Sequence, residues 1–272
     1  MTLTFAGFEF DPADPQAPPQ EVWDRLSDHE RERLRAVLVW EGPMPNAAPP
    51  EGDTHRDSVQ RTREMLRRHF RRLRRKIYIG NDLPIFYPGE RMFSPDVIAV
   101  TDVEDHDRDS WIVSAEGKGL DLAIEIHWRG DQAKDAEANV KRYAHLGIPE
   151  YFAFDLKRMA LRGWRLPHSG ARVYQRLVPQ SGRFESSVLG VELGVEGDRL
   201  EFYVGEAALP DTEDVISKLS AALERVEARA VQEAQRAEQE AKRAEEERRQ
   251  RAIAETKLAE VMAELERLKR GQ

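Results

Sequence analysis

Two carboxylates in this chain stand where a carboxylate is costly. Asp96 follows Pro95 and opens the apolar run Val97-Ile98-Ala99-Val100. Glu125 lies inside Leu122-Ala123-Ile124-Glu125-Ile126-His127. Both runs are β-prone, and a carboxylate placed in one needs a metal, a base or a cation to offset its burial. Taken alone, Asp96 also reads as a turn-forming residue before a strand, and Glu125 as the edge-facing partner of a salt bridge. Converging on one end of a sheet, the two could hold a hard cation such as Mg²⁺ or Mn²⁺ together with waters. That cation would polarise a scissile phosphate and lower the pKa of an attacking water. A lysine that orients the water or stabilises developing charge would complete the set. Lys118 precedes the Glu125 strand, Lys134 opens the helix after it and Lys141 lies two turns further along that helix. Each of the three also reads as an ordinary surface lysine.

The elements that must position these groups follow from periodicity and punctuation. Residues 96–101, 111–114, 122–128 and 151–154 read as strands. A helix is expected over 133–146, stopped by Gly147 and Pro149. Strand, helix and strand over this length form a βαβ crossover, so the strands at 122–128 and 151–154 should be parallel. Upstream, 12–19 reads as an extended linker, 20–39 as one short helix and 43–52 as loop. A helix follows over 57–76, then a strand, turn and strand over 77–87. Downstream, strands are expected at 161–166, 173–177, 188–193 and 200–204. The whole reads as an α/β fold with a mixed sheet.

Composition divides the 272 residues. The aromatic residues, the prolines and nearly all the glycines precede position 211. A domain of that size can bury a substantial core. From 211 onward Ile216, Leu223, Leu258 and Leu265 fall at heptad a positions, and Leu219, Val226, Val261 and Leu268 at d. The centre is Ala, Glu and Arg. A coiled coil with apolar ends is expected over 212–269, pairing two copies of the chain. There is no cysteine, hence no disulfide framework or thiolate metal site, which fits a reducing cytosol. No run resembles a signal peptide or a membrane span. Net charge is −8, which argues against a generic DNA-coating protein. Residues 56–76, however, carry ten basic residues against Asp57 and Glu64, a local balance of +8. That helix either approaches a polyanion or pairs its cations with acidic neighbours.

The segments 95–96, 121–126 and 143–155, the last reading Tyr-Ala-His-Leu-Gly-Ile-Pro-Glu-Tyr-Phe-Ala-Phe-Asp, resemble the Uma-type restriction endonucleases of the PD-(D/E)XK superfamily. The similarity spans about residues 40 to 205. His55 resembles a histidine that opens the family's first long helix. The resemblance implies a PD-(D/E)XK mixed sheet flanked by helices, with Asp96 and Glu125 as ligands of Mg²⁺ or Mn²⁺. There are departures. The superfamily's lysine two residues beyond the glutamate is His127, and the alternative lysine on the next helix aligns with Asn139. Lys134 is the nearest substitute in sequence.

The expectation is therefore an N-terminal extension (1–42), a nuclease-like domain (43–210) and a coiled coil (211–272). The chain would be a cytoplasmic, metal-dependent endonuclease acting on DNA, with Asp96, Glu125 and Lys134 as its catalytic set. The alternative is a cleavage-deficient nuclease fold that binds nucleic acid or serves assembly.

Overall fold

The computed structural model describes residues 3–38, 52–127 and 132–270, with the side chains of 132–136, 212–214, 268 and 270 outside that set. The N-terminal part contains strands β1 (Leu3–Phe5) and β2 (Phe8–Phe10) and helices α1 (Gln20–Arg25), α2 (Asp28–Val37) and α3 (Gly52–Leu73). Next come β3 (Ile77–Asn81), β4 (Ile85–Phe86), β5 (Val97–Thr101), β6 (Trp111–Ile112), α4 (Val113–Glu116), β7 (Leu122–His127), α5 (Gln132–Leu146) and β8 (Glu150–Asp155). The strands β9 (Ala160–Arg165), β10 (Gln175–Arg176), β11 (Phe184–Ser186), β12 (Val191–Glu196), β13 (Arg199–Val204) and β14 (Ala207–Ala208) precede a single long helix, α6 (Thr212–Arg270). Met1–Asp211 is one compact unit and Thr212–Gln272 another. The expected loop at 43–52 falls outside the described residues except for its last position, Gly52, where α3 begins.

The central sheet has six strands in the order β10-β9-β8-β7-β5-β3. β7 and β8 are parallel, as the crossover through α5 requires, and the other neighbours are antiparallel. The fold is thus mixed α/β, as the sequence predicts. Both faces of the central strands are covered, which is why β5, β7 and β8 are largely apolar, with Glu125 the exception inside β7. On one face Leu122, Ile124 and Ile126 of β7 join Phe152 and Phe154 of β8. There they meet Val59, Met65, Leu66 and Phe70 from α3 and the inward residues of the antiparallel sheet β11-β12-β13-β14. On the other face Ala123, Tyr151 and Ala153 pack with Ile98, Trp111 and Tyr143. Each fully buried large apolar side chain contributes about 1.5–3 kcal/mol relative to exposure. Glu125 has the parity of Ala123 and so belongs to this second face, the one on which Tyr143 of α5 packs.

Two N-terminal expectations are corrected. Segment 12–19 is anchored, not a free linker: Ala17 is buried and bridges to Pro88. The expected single helix over 20–39 is two helices, because Ser27 caps α2 in a capping box with Glu30. That signal, a serine followed three residues later by glutamate, is legible in the sequence. Phe5, Phe10, Trp23 and Leu34 form a cluster with Phe86, Met92 and Ile112, inside the same compact unit as the sheet. The expected strand 111–114 shortens to Trp111–Ile112 before the α4 turn.

The block 147–152 has local reasons for its composition. Gly147 adopts φ 77° just past α5, and Ile148 N–H returns to the carbonyl of Tyr143 (3.0 Å). This is a Schellman-type closure that needs a left-handed residue. Glu150 is 1% exposed and fully engaged. It accepts from Arg165 Nε (2.7 Å), Ser186 Oγ (2.5 Å) and Ser187 N–H (2.8 Å), tying the central sheet to β11. Removing one member of such a buried network strands the others. Glu150→Ala should therefore cost about 3–5 kcal/mol, read as a lower denaturant midpoint. A loss of less than about 1 kcal/mol would show that these bonds are not holding the sheets together.

Candidate functional site

Register brings the two carboxylates together. Val97 pairs with Ile124 across β5 and β7, so Asp96, one residue ahead of β5, lies beside Glu125. Ile126 N–H donates to Asp96 Oδ2 (2.6 Å). Asp96 is close enough for its negative charge to act on Glu125. From above, Tyr143 Oη donates to Glu125 Oε1 (2.5 Å), and Asn139 Nδ2 approaches the same oxygen at 3.5 Å. Asn139 and Tyr143 are one helical turn apart on α5 and so share a face. His55, in the first turn of α3, places Nε2 3.3 Å from Asp96 Oδ1.

Burial dominates the electrostatics. Glu125 is 9% exposed. Desolvation, followed by the like charge of Asp96, holds its pKa well above the usual carboxylate range, despite the opposing bond from Tyr143. Glu125 therefore favours its protonated form. Tyr143 is raised by burial and then by Glu125. Tyr151 is raised by burial, then by Glu125 and Asp96, with Arg162 acting in the opposite direction. Tyr151 stacks on Trp164 (5.1 Å between centroids, 14° between planes) and meets Tyr143 edge-on at 5.0 Å. Glu125 thus lies in a low-dielectric setting beside packed aromatic rings, with Asp96 next to it in register.

The expected lysines fare differently. Lys134 belongs to α5, but its side chain lies outside the described residues. Lys118 is committed elsewhere: its Nζ binds Thr101 O (2.6 Å) and Asp121 (2.9 Å) at the opposite end of β5. Lys141 is exposed. His127 follows Glu125 on the same face of β7. The basic helix is largely neutralised from within. Arg61 pairs with Asp211 and Glu201, and Arg67 and Arg71 both pair with Asp105. Lys76 pairs with Glu104, and Arg75 donates to the carbonyls of Val188 and Leu189. A separate cavity of about 560 Å³ is lined by Arg35, Arg108 and Glu116, and by neither Asp96 nor Glu125. The sequence reading gave no role to Tyr143 or Tyr151. The signal for Tyr143 was its spacing of four from Asn139.

Residues 23–204 match a family described as "Putative restriction endonuclease" (Uma2). The chain belongs to that family. The match begins at the N-terminal helices and ends on β13, so the Uma2 region includes part of the segment 1–42. Among solved structures, a chain described as a "putative nuclease belonging to DUF820" from Anabaena variabilis ATCC 29413 is similar at 13% identity. The likeness covers 52% of this chain and 79% of that one, with a TM-score of 0.38. No curated protein matches the sequence.

The raised pKa of Glu125 has a testable sign. Its folded value lies above its ordinary value of 4.5. The stability associated with the protonated form is therefore complete below that ordinary value and is lost as pH rises through the folded pKa. Glu125→Gln keeps the shape without the charge. In chelator it should melt higher than wild type at about pH 8, by roughly 1–2 kcal/mol or about 2–8 °C, and the advantage should shrink toward about pH 5. A difference independent of pH would remove the buried charge as its cause.

Proposed function

We propose that this Uma2 protein is a divalent-metal-dependent endonuclease that hydrolyses phosphodiester bonds of DNA. The observation that carries the proposal is the strand register that sets Asp96 beside the buried Glu125. Two like carboxylates placed side by side, one of them buried, are unfavourable unless a proton or a cation offsets their charge. Mg²⁺ is commonly held by one or two carboxylates, with waters and substrate phosphate oxygens completing its octahedron. Among the described residues no group of three His, Asp or Glu is spaced to hold a metal ion, so the donor pair suits that two-carboxylate mode. When bound, Mg²⁺ or Mn²⁺ would supply a polarised phosphate and a more acidic water.

The chain's own residues have definable tasks in this reading. Tyr143 Oη fixes Oε1 of Glu125 and Ile126 N–H fixes Oδ2 of Asp96, so each carboxyl presents one orientation. His55 beside Asp96 adds a polar neighbour from α3. The packed aromatic residues exclude bulk water, which strengthens charge interactions inside the site. Lys134 is proposed as the residue that positions the water or stabilises the charge that develops. The absence of cysteine agrees with a cytoplasmic setting.

One observation favours a second reading, in which the fold binds metal and nucleic acid without cleaving. The helix position that faces Glu125 is an asparagine, with its amide 3.5 Å from the carboxylate. A neutral amide cannot stabilise developing negative charge as a lysine would. Plasmid cleavage in Mg²⁺ or Mn²⁺ separates the two readings. Asp96→Ala and Glu125→Ala should each lower the rate by about 100-fold or more. Mn²⁺ should raise the melting temperature of wild type but not of the double variant. Metal binding without turnover would select the second reading.

We also propose that α6 pairs two copies of the chain. It is 59 residues long, about 88 Å at 1.5 Å per residue. Ile216, Leu219, Leu223 and Val226 are exposed at one end, and Leu258, Val261 and Leu265 at the other. A dimer places two sites where two strands of a duplex could be cut. Sedimentation of the full chain should give a dimer, and Leu223→Glu with Leu265→Glu a monomer. A monomeric wild type at micromolar concentration would exclude it.

A further inference from the structure

We propose that Arg162 and Tyr151 form a phosphate-binding arm of the Asp96–Glu125 site, holding a backbone phosphodiester of the nucleic acid. The inference rests on the nuclease reading of that site and names the group in it that would recognise substrate.

Sheet register carries the placement. Glu125 pairs with Ala153, and Ala153 pairs with Arg162, so the three form one row across β7, β8 and β9. Strands are spaced about 4.8 Å apart, which puts the ends of the row about 10 Å apart. Members of a row share a face, and the middle residue is the small, buried Ala153. The side chain of Arg162 thus stands on the same face of the sheet as Glu125, with only the small Ala153 between them in the row. Its guanidinium lies 6.0 Å from the Trp164 ring centre and is half-buried. Most arginines nearby are committed: Arg165 to Glu150, Arg158 to Asp155 and Arg142 to Glu90. Among the described residues Arg162 makes no hydrogen bond and no ion pair, only the ring contact.

Tyr151 occupies the next row, paired with Ala123 on one side and Trp164 on the other. Stacking on Trp164 and edge contact with Tyr143 fix its ring. Its hydroxyl is buried and has no hydrogen-bond partner among the described residues. A buried hydroxyl left so costs about 1–3 kcal/mol, which a bound acceptor would relieve. Asp96 and Glu125 act on it from one side and Arg162 from the other, so it stands within electrostatic reach of both. The chemistry fits a phosphodiester. A planar guanidinium backed by an aromatic ring and a neutral hydroxyl donor match anionic oxygens. The carboxylate pair would repel the same anion unless a cation intervenes, so binding should need the metal.

The test uses the full-length protein, a short fluorescent DNA in single-stranded and duplex form, and Ca²⁺ to follow binding by anisotropy across a salt series. Cleavage in Mn²⁺ is followed in parallel. Arg162→Ala should weaken binding about tenfold or more and reduce the salt slope by about 0.9, while Arg162→Lys keeps the slope. Tyr151→Phe should weaken binding severalfold at an unchanged slope. It should not lower the melting temperature, because the hydroxyl it removes satisfies nothing in the free protein. A merely structural role for Arg162 would leave the slope alone. If Arg162→Ala binds within about twofold of wild type at the same slope, the arm is overturned, and Glu125-dependent cleavage would show that the nuclease reading survives it. If DNA binding depends on metal, Glu125 and Arg162 but cleavage is absent, the arm stands and the nuclease reading falls, whereas binding independent of Glu125 and of metal overturns the arm. Failure of wild type to bind DNA in either form would sink the arm.

Discussion

The placement of Asp96 beside the buried Glu125 is the constraint around which the second face of the sheet is organised. Burial and the like charge of Asp96 both oppose ionisation of Glu125. The fold imposes the placement all the same. Register sets Asp96 beside Glu125, a backbone N–H holds one carboxyl and a tyrosine hydroxyl holds the other. Under the proposed function, the burial that makes Glu125 costly to ionise would also strengthen its interaction with a divalent cation.

The apparatus around the pair consists of α5 and the strand that follows it. Tyr143 reaches Glu125 from the helix, and Ile148 closes that helix by bonding back to the Tyr143 carbonyl. Glu150 then ties the next strand to the antiparallel sheet, and Tyr151 contributes to the aromatic cover. The short block that ends the helix thus serves three purposes in consecutive residues. Substitutions at Glu150 should be felt in stability, and those at Tyr151 in the site.

Charge distribution changes in meaning once partners are visible. The run of arginines on α3 suited either a polyanion or acidic neighbours within the protein. Arg61, Arg67 and Arg71 meet Asp211, Glu201 and Asp105 of the same compact unit. These pairs join α3 to β13 and to the segment after β5, so the helix uses much of its charge internally. Arg162, a single cation in the row of Glu125, is the more specific candidate for contact with an anion.

Much of this protein was legible in its sequence because the signals are local. The parallel β7–β8 pair follows from a helix of the right length between two apolar runs, the end of α5 from Gly147 and Pro149, and the long helix α6 from composition. The two acids were conspicuous because each interrupts or borders an apolar run. The split between α1 and α2 was also written locally, in Ser27 and Glu30, and passed over. The remainder could not be read, because it depends on residues far apart in sequence meeting at one place. No spacing rule pairs Arg67 with Asp105 or aligns Arg162 with Glu125 across Ala153. Nor does local pattern show that the N-terminal segment packs against β4 and β6, since its apolar residues find their complement only there. Sequence by itself determined which groups could do chemistry and which elements carry them. Tertiary structure decided which groups meet, because strand register and helix packing set distances that one-dimensional order leaves free.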